Sequence, residues 1–165
     1  MLLCYLDASA WSKRSSGEHG QDAVDVLFSS VGGLERIGLV SSALSYAEVI
    51  SMIVRFRNRT SVSDADFARI LDRIAEDEGR ILYLSVPDQA FRHGTDYVIE
   101  HSLNATDAAL LVVLLDMMNQ LPNTEPQIWL IASDKRFLRA ATAEGLFCLD
   151  PEASSPREIR ELLAR

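Results

Sequence analysis

Four carboxylates in this chain stand where chemistry can be done with them: Asp7, Glu48, Asp107 and Asp134. Each lies at the end of an apolar run or the start of a helical pattern, flanked by apolar or small residues. Singly, three of them have structural readings. Asp134 fits a helix N-cap, and Asp107 fits a first-turn acid favoured by the helix dipole by about 0.3 to 1 kcal/mol. Glu48 fits the last place of a capping box, Ser45-Tyr46-Ala47-Glu48. Asp7 resists such a reading, because it ends an apolar run abruptly. Jointly the four say more. Carboxylates sharing one crevice repel, and each raises the others' pKa unless a cation intervenes. Oxygen ligands with no Cys or His nearby suit Mg²⁺ or Mn²⁺ rather than Zn²⁺. Such a site activates water and stabilises in-line displacement at phosphorus.

The elements that must position these acids follow from the hydrophobic pattern. Leu2-Leu3-Cys4-Tyr5-Leu6 shows no two-fold alternation, so both faces are covered, as in a central strand of a parallel sheet. Asp7 then sits at the strand's carboxyl end, the edge where open α/β sheets bind ligands. Ile128-Trp129-Leu130-Ile131-Ala132 repeats the pattern and stops at Ser133-Asp134. Further strands are expected at Ile37 to Ser41, Ile81 to Val86 and Phe147 to Leu149.

Between them the periodicity predicts helices over Ala8 to Ser12, Gln21 to Val31 with Gly32-Gly33 as its stop, and about Ser42 to Asn58 with Leu44, Ala47, Ile50, Ile53 and Val54 inward. Others are expected from Ser63 through Glu78, over Asp88 to His101 after Pro87, and from Asn104 to Gln120, apolar nearly all round. Lys135 to Glu144 and a capped helix after Ser155-Pro156 complete the set. Lys13 to Gly20 reads as a polar loop, and Leu121 to Gln127 as a Pro-containing one. Strands alternating with helices give an α/β fold, a three-layer α/β/α sandwich around a parallel sheet of four or five strands.

The composition narrows the class. At 165 residues, 48% hydrophobic and 24% charged, the chain fits one globular domain. Cys4 and Cys148 lie in apolar segments without CxxC spacing and read as small buried hydrophobes. The longest nearly uninterrupted apolar run, Ala108 to Leu115, is too short to span a bilayer, and a cytoplasmic protein is expected. A net charge of −8 argues against a broad electropositive nucleic-acid surface. Local basic clusters remain, at Lys13-Arg14, at Arg55-Phe56-Arg57-Asn58-Arg59, and at Lys135-Arg136 with Arg139. They read equally as solvated faces and as phosphate contacts.

Four stretches carry a resemblance. Tyr5-Leu6-Asp7-Ala8-Ser9-Ala10, Ser42-Ala43-Leu44-Ser45-Tyr46-Ala47-Glu48, Asn104-Ala105-Thr106-Asp107-Ala108-Ala109-Leu110 and Ala132-Ser133-Asp134-Lys135-Arg136-Phe137 resemble, in that order, the four motifs of PIN domains. The likeness is closest to the VapC-type toxins of bacterial toxin-antitoxin pairs, and spans about residues 2 to 150. It implies a PIN-like nuclease domain over 1–150, with 151–165 as a C-terminal helical extension. It implies a Mg²⁺- or Mn²⁺-dependent endoribonuclease leaving 5′-phosphate and 3′-hydroxyl ends, restrained by a cognate antitoxin protein and often homodimeric. Asp7, Glu48, Asp107 and Asp134 match the catalytic, metal-binding quartet. Ser9 and Ser133 match its small hydroxyl positions, which support the ligands through hydrogen bonds. Lys13, Arg14, Lys135 and Arg136 become candidate RNA contacts.

Other readings stay open. An aspartate-nucleophile phosphatase needs a second acid two residues after Asp7, and Ser9 stands there. A non-catalytic metal- or RNA-binding module and a housekeeping RNA-processing nuclease both accommodate the same acids. Asp116 lies about half a turn round the helix from Asp107 and is expected to face away. His19, His93 and His101 read as surface or helix-end residues, and Trp11 and Phe137 as packing residues.

Overall fold

The computed structural model describes residues 2–31, 37–121 and 127–164. The expected stop at Gly32-Gly33 and most of the Leu121 to Gln127 loop lie outside them. Five parallel strands form one sheet in the order β3-β2-β1-β4-β5: β1 Leu2–Leu6, β2 Ile37–Ser42, β3 Ile81–Leu84, β4 Gln127–Ile131 and β5 Phe147–Leu149. The first strand is central, paired Cys4 to Leu39 on one side and Cys4 to Trp129 on the other. That placement explains its unalternated pattern. Cys4 and Leu6 enter one core, with Trp11, Leu27, Phe28 and Ile53. Tyr5 enters the other, with Leu110, Leu114 and Phe137.

Helices cover both faces. α1 Ala8–Trp11, α3 Gln21–Ser30, α4 Ala43–Arg59, α5 Asp64–Glu78 and α10 Pro156–Leu163 pack on the first core, and α2 Lys13–Ser16 lies against α3 and α4 outside it. α6 Asp88–His93, α7 Thr95–His101, α8 Ala105–Gln120 and α9 Lys135–Ala143 cover the other face. The result is the expected three-layer α/β/α sandwich, with five strands. Among the described residues no single helix is long and apolar enough to cross a membrane. The terminal helix α10 has a full capping box, Ser155 accepting from the Glu158 N–H at 3.2 Å while Glu158 Oε2 accepts from the Ser155 N–H at 2.7 Å. Its Ile159 is fully buried, and α10 packs on α3.

Four local expectations are corrected. Residues 13–16 form α2 rather than loop, because their basic side chains are tied inward: Lys13 Nζ meets Glu152 at 2.6 Å, and Arg14 Nε meets Asp77 at 2.7 Å. The single helix expected over Asp88 to His101 breaks at Gly94, where a Cβ would stand 3.0 Å from the Ala108 carbonyl carbon. α8 crosses too closely there for any side chain. The third strand ends at Leu84 instead of Val86. On α4 the buried residues are Ser45, Val49 and Ile53, while Ala47 and Val54 face outward. A serine occupies the inward face because the Tyr5 hydroxyl lies 2.9 Å from its Oγ and satisfies it.

Candidate active site

The chain leaves β1 toward one side of the sheet and returns for β4 on the other, so the strand order reverses between β1 and β4. At such a switch point the loops after the two strands part and open a crevice. Asp7 follows β1 and Asp134 follows β4, and one residue joins them. Ser9 Oγ donates to Asp7 Oδ2 and accepts from the backbone N–H groups of Ser133 at 2.9 Å and Asp134 at 3.3 Å. The Ser9 N–H also donates to Asp7 Oδ2 at 3.0 Å, which makes Asp7 the N-cap of α1. Asp134 caps α9, its Oδ1 accepting from the N–H groups of Arg136 at 2.8 Å and Phe137 at 3.1 Å. Both acids therefore cap helices, and capping occupies only one oxygen of each. Ser133 Oγ is buried without a hydrogen-bond partner among the described residues.

Asp107 arrives from α8. Asn104 caps that helix, its Oδ1 accepting from the Asp107 N–H at 2.8 Å while its Nδ2 donates to Asp107 Oδ2 at 2.9 Å. This reciprocal pair is a capping box built with Asn and Asp, and it fixes the carboxylate's orientation. Asp107 is 7% exposed. Glu48 has lost its structural explanation. The N-cap of α4 is Ser42, accepting from the Ser45 N–H at 3.1 Å, so Glu48 lies beyond the first turn and outside any capping box. It is half-buried, and Asp116 is exposed as expected.

Electrostatics show the four acids acting on one another. Burial raises the Asp7 carboxyl above its ordinary value, hydrogen bonds from Ser9 oppose that, and the charge of Asp134 raises it again. Glu48 is raised by burial and then by Asp7, with Arg55 pulling it back. Asp107 is pushed up to about 7, first by burial and then by the charges of Asp7, Asp134 and Glu48, against the pull of Arg136. Tyr5 lies beneath, its hydroxyl bonded to Ser42 and Ser45 and its pKa raised mainly by burial.

The donor set fits a hard divalent cation: oxygen only, buried at Asp7 and Asp107 and half-buried at Glu48 and Asp134, with like charge that Arg55 and Arg136 offset only in part. Among the described residues the one set of three side chains whose ligand atoms all lie within 4.8 Å is Glu100, His101 and Glu144, not this quartet. The wider spread suits Mg²⁺, which keeps several of its waters.

The basic candidates divide. Lys13 is buried against Glu152, and Arg14 bonds Asp25 and Asp77 with its guanidinium 4.1 Å from the Phe28 ring centroid. Lys135 and Arg136 are exposed, the former paired with Asp150 and with Glu152 at 3.3 Å. The supporting roles of Asn104 and Ser42 escaped the sequence reading, although Asn-x-x-Asp and Ser-x-x-Ser before apolar runs are N-terminal capping signals.

The fold is a five-stranded parallel sheet between two helical layers, an α/β architecture. Among solved structures it is similar to PAE2754 from Pyrobaculum aerophilum, with a TM-score of 0.66 and 16% identity over 100% of both chains. It is also similar to VapBC-1 from nontypeable Haemophilus influenzae, with a TM-score of 0.56 and 15% identity over 90% of this chain and 98% of that one. No family model matches the sequence, and no curated protein matches it.

Proposed function

We propose that this chain is a divalent-metal-dependent endoribonuclease that hydrolyses phosphodiester bonds in RNA, acting in the cytoplasm as the toxin of a toxin-antitoxin pair. The observation that carries the reading is the convergence of three carboxylate charges on a buried fourth, Asp107, at the sheet's switch point. Asp7, Glu48, Asp107 and Asp134 would hold Mg²⁺ or Mn²⁺, which when bound lowers the pKa of a water and neutralises charge developing at phosphorus. The protein's own work is orientation. Ser9 fixes Asp7 against the Ser133-Asp134 turn, and Asn104 fixes Asp107, so the ligands need little reordering. Lys135 and Arg136 stand at the rim, where a phosphate backbone would meet them. Contact by Lys13 or Arg14 would require their internal ion pairs to open.

The likeness to VapBC-1 supports a cognate antitoxin protein as partner, and a homodimer is the expected assembly. The test is direct. Purified protein is incubated with RNA in Mg²⁺, in EDTA, and after Asp7→Asn or Asp134→Asn substitution. Cleavage in Mg²⁺ alone, lost in the other three conditions, is expected. Cleavage that survives EDTA and both substitutions overturns the mechanism, and metal binding without cleavage of any RNA favours a non-catalytic module.

A further inference from the structure

The arginine cluster that closes α4 is divided by the helix. Arg57 is engaged, bonding Asp64 at 2.6 Å with its guanidinium 4.4 Å from the Phe67 ring centroid. Arg55 and Arg59, one turn apart on another face, have no carboxylate within ion-pair distance among the described residues. Both line a cavity of about 430 Å³ between α2 and the end of α4. Ser12, Ser16, Glu18 and Thr60 supply its other polar lining, over Met52 and Phe56.

The two serines matter most. Ser12 is 2% exposed, and the Oγ atoms of Ser12 and Ser16 are buried without a hydrogen-bond partner among the described residues. Leaving a hydroxyl buried and unpaired costs about 1–3 kcal/mol, so such groups mark places where a partner belongs. Two free guanidinium groups offer hydrogen-bond donors to a tetrahedral oxyanion, and the two unspent hydroxyls lie in the wall behind them, within reach on a rotamer change, the chemistry by which Arg and Ser recognise phosphate. Glu18 opposes an anion there, and Lys13 Nζ, 3.9 Å away and shared with Glu152, offsets its charge in part.

The cavity lies further along the helix that carries Glu48. Arg55 acts electrostatically on Glu48 and stands seven residues further along α4, about 10 Å at the helical rise. Arg59 lies one turn beyond. We propose that this cavity binds a backbone phosphate of an RNA strand running out of the carboxylate crevice along α4. The inference rests on RNA being the substrate of that crevice.

The experiment uses the full chain in EDTA with a labelled single-stranded 2′-O-methyl oligoribonucleotide, which cannot be cleaved, and reads anisotropy across a salt series. The double variant Arg55→Gln/Arg59→Gln should bind about tenfold or more weakly, with the slope of log affinity against log salt reduced by about 0.7, the share of one phosphate on a single strand. Ser12→Ala should weaken binding about threefold with the slope unchanged. Arg57→Gln should change neither. Circular dichroism controls for folding, and both substituted arginines are exposed. In a second arm, ³¹P line broadening of inorganic phosphate should be seen with the native chain and lost in the double variant.

Oligonucleotide affinity and slope unchanged in the double variant would overturn the inference. So would an equal loss on Arg57→Gln, which marks diffuse charge. Phosphate binding lost while oligonucleotide binding is kept would assign the cavity to free phosphate instead. Because binding is read without cleavage, failure to cut RNA in Mg²⁺ removes the nuclease reading and leaves this result standing. Cleavage with unchanged slopes removes only the cavity.

Discussion

Two gatherings of acidic side chains lie in this molecule, and they are held differently. At one, Glu144 Oε1 lies 2.8 Å from His101 Nε2, Tyr97 stacks on that imidazole, and Glu100 is exposed to water. Its ligand atoms all fall within 4.8 Å. At the other, Asp7 and Asp107 are buried, Glu48 is half-buried, and the nearest compensation is the more distant pull of Arg136 and Arg55. Proximity alone would choose the first cluster as the functional one. Burial with little compensation chooses the second, because the fold holds like charges together there at a cost that a bound cation, or a proton on Asp107, removes.

The largest effect should come from removing a ligand. Asp7→Asn or Asp134→Asn should lower Mg²⁺-dependent RNA cleavage by on the order of a hundredfold or more, while Glu144→Gln changes it less than about twofold. Loss of cleavage on Glu144→Gln, with the fold intact, would reverse the comparison.

Ser9→Ala should come next. Its hydroxyl joins Asp7 to the Ser133-Asp134 turn, so its removal should weaken Mg²⁺ affinity by about tenfold, and calorimetric titration checks it. Thermal unfolding should show a loss of comparable size, since one part-buried hydrogen-bond centre costs about 1–3 kcal/mol.

Asp107 supplies a pH test. Its folded pKa, about 7, lies above the ordinary 3.8, so the folded metal-free protein binds that proton more tightly than the unfolded chain. Stability from this group is fully present below about pH 4 and is lost as pH rises through 7. In EDTA, Asp107→Asn should therefore raise the melting temperature by a few degrees at pH 8 and by nothing at pH 4. Glu144→Gln, which removes the partner of His101, should not raise it at either pH. Equal melting curves for Asp107→Asn and the native chain at pH 8 would mean that the quartet carries no strain.

The smallest effect concerns a buried group free to stay neutral. Burial pushes the Cys4 thiol, in the same strand that ends at Asp7, up to about 12. Iodoacetamide at pH 8 should leave Cys4 unmodified in the native chain and label it in denaturant, as mass spectrometry would read.

How much of this was legible in the sequence depends on range. The unalternated run into Asp7 reports a strand paired on both sides, and β1 proves central; the run into Asp134 does the same for β4. The capping serines, Ser63 and Ser155, announce α5 and α10 where the structure has them. What stayed hidden depends on contacts distant in sequence. The need for glycine at position 94 comes from the close approach of Ala108, and the helix at Lys13 is held by Glu152 and Asp77. Glu48 was paired with Ser45 in a capping pattern because the true cap, Ser42, ends the preceding strand. Which acids face one another was a matter of topology, and the reversal at β1 and β4 is not written in any one segment.

If the comparison holds, the quartet and not the tighter His101 cluster takes up the divalent cation. Mn²⁺ titration followed by electron paramagnetic resonance tests it most directly, on the native chain, Asp7→Asn, Asp134→Asn and Glu144→Gln. High-affinity binding should be lost in both aspartate variants and retained in Glu144→Gln. Binding retained in the aspartate variants and lost in Glu144→Gln would contradict it.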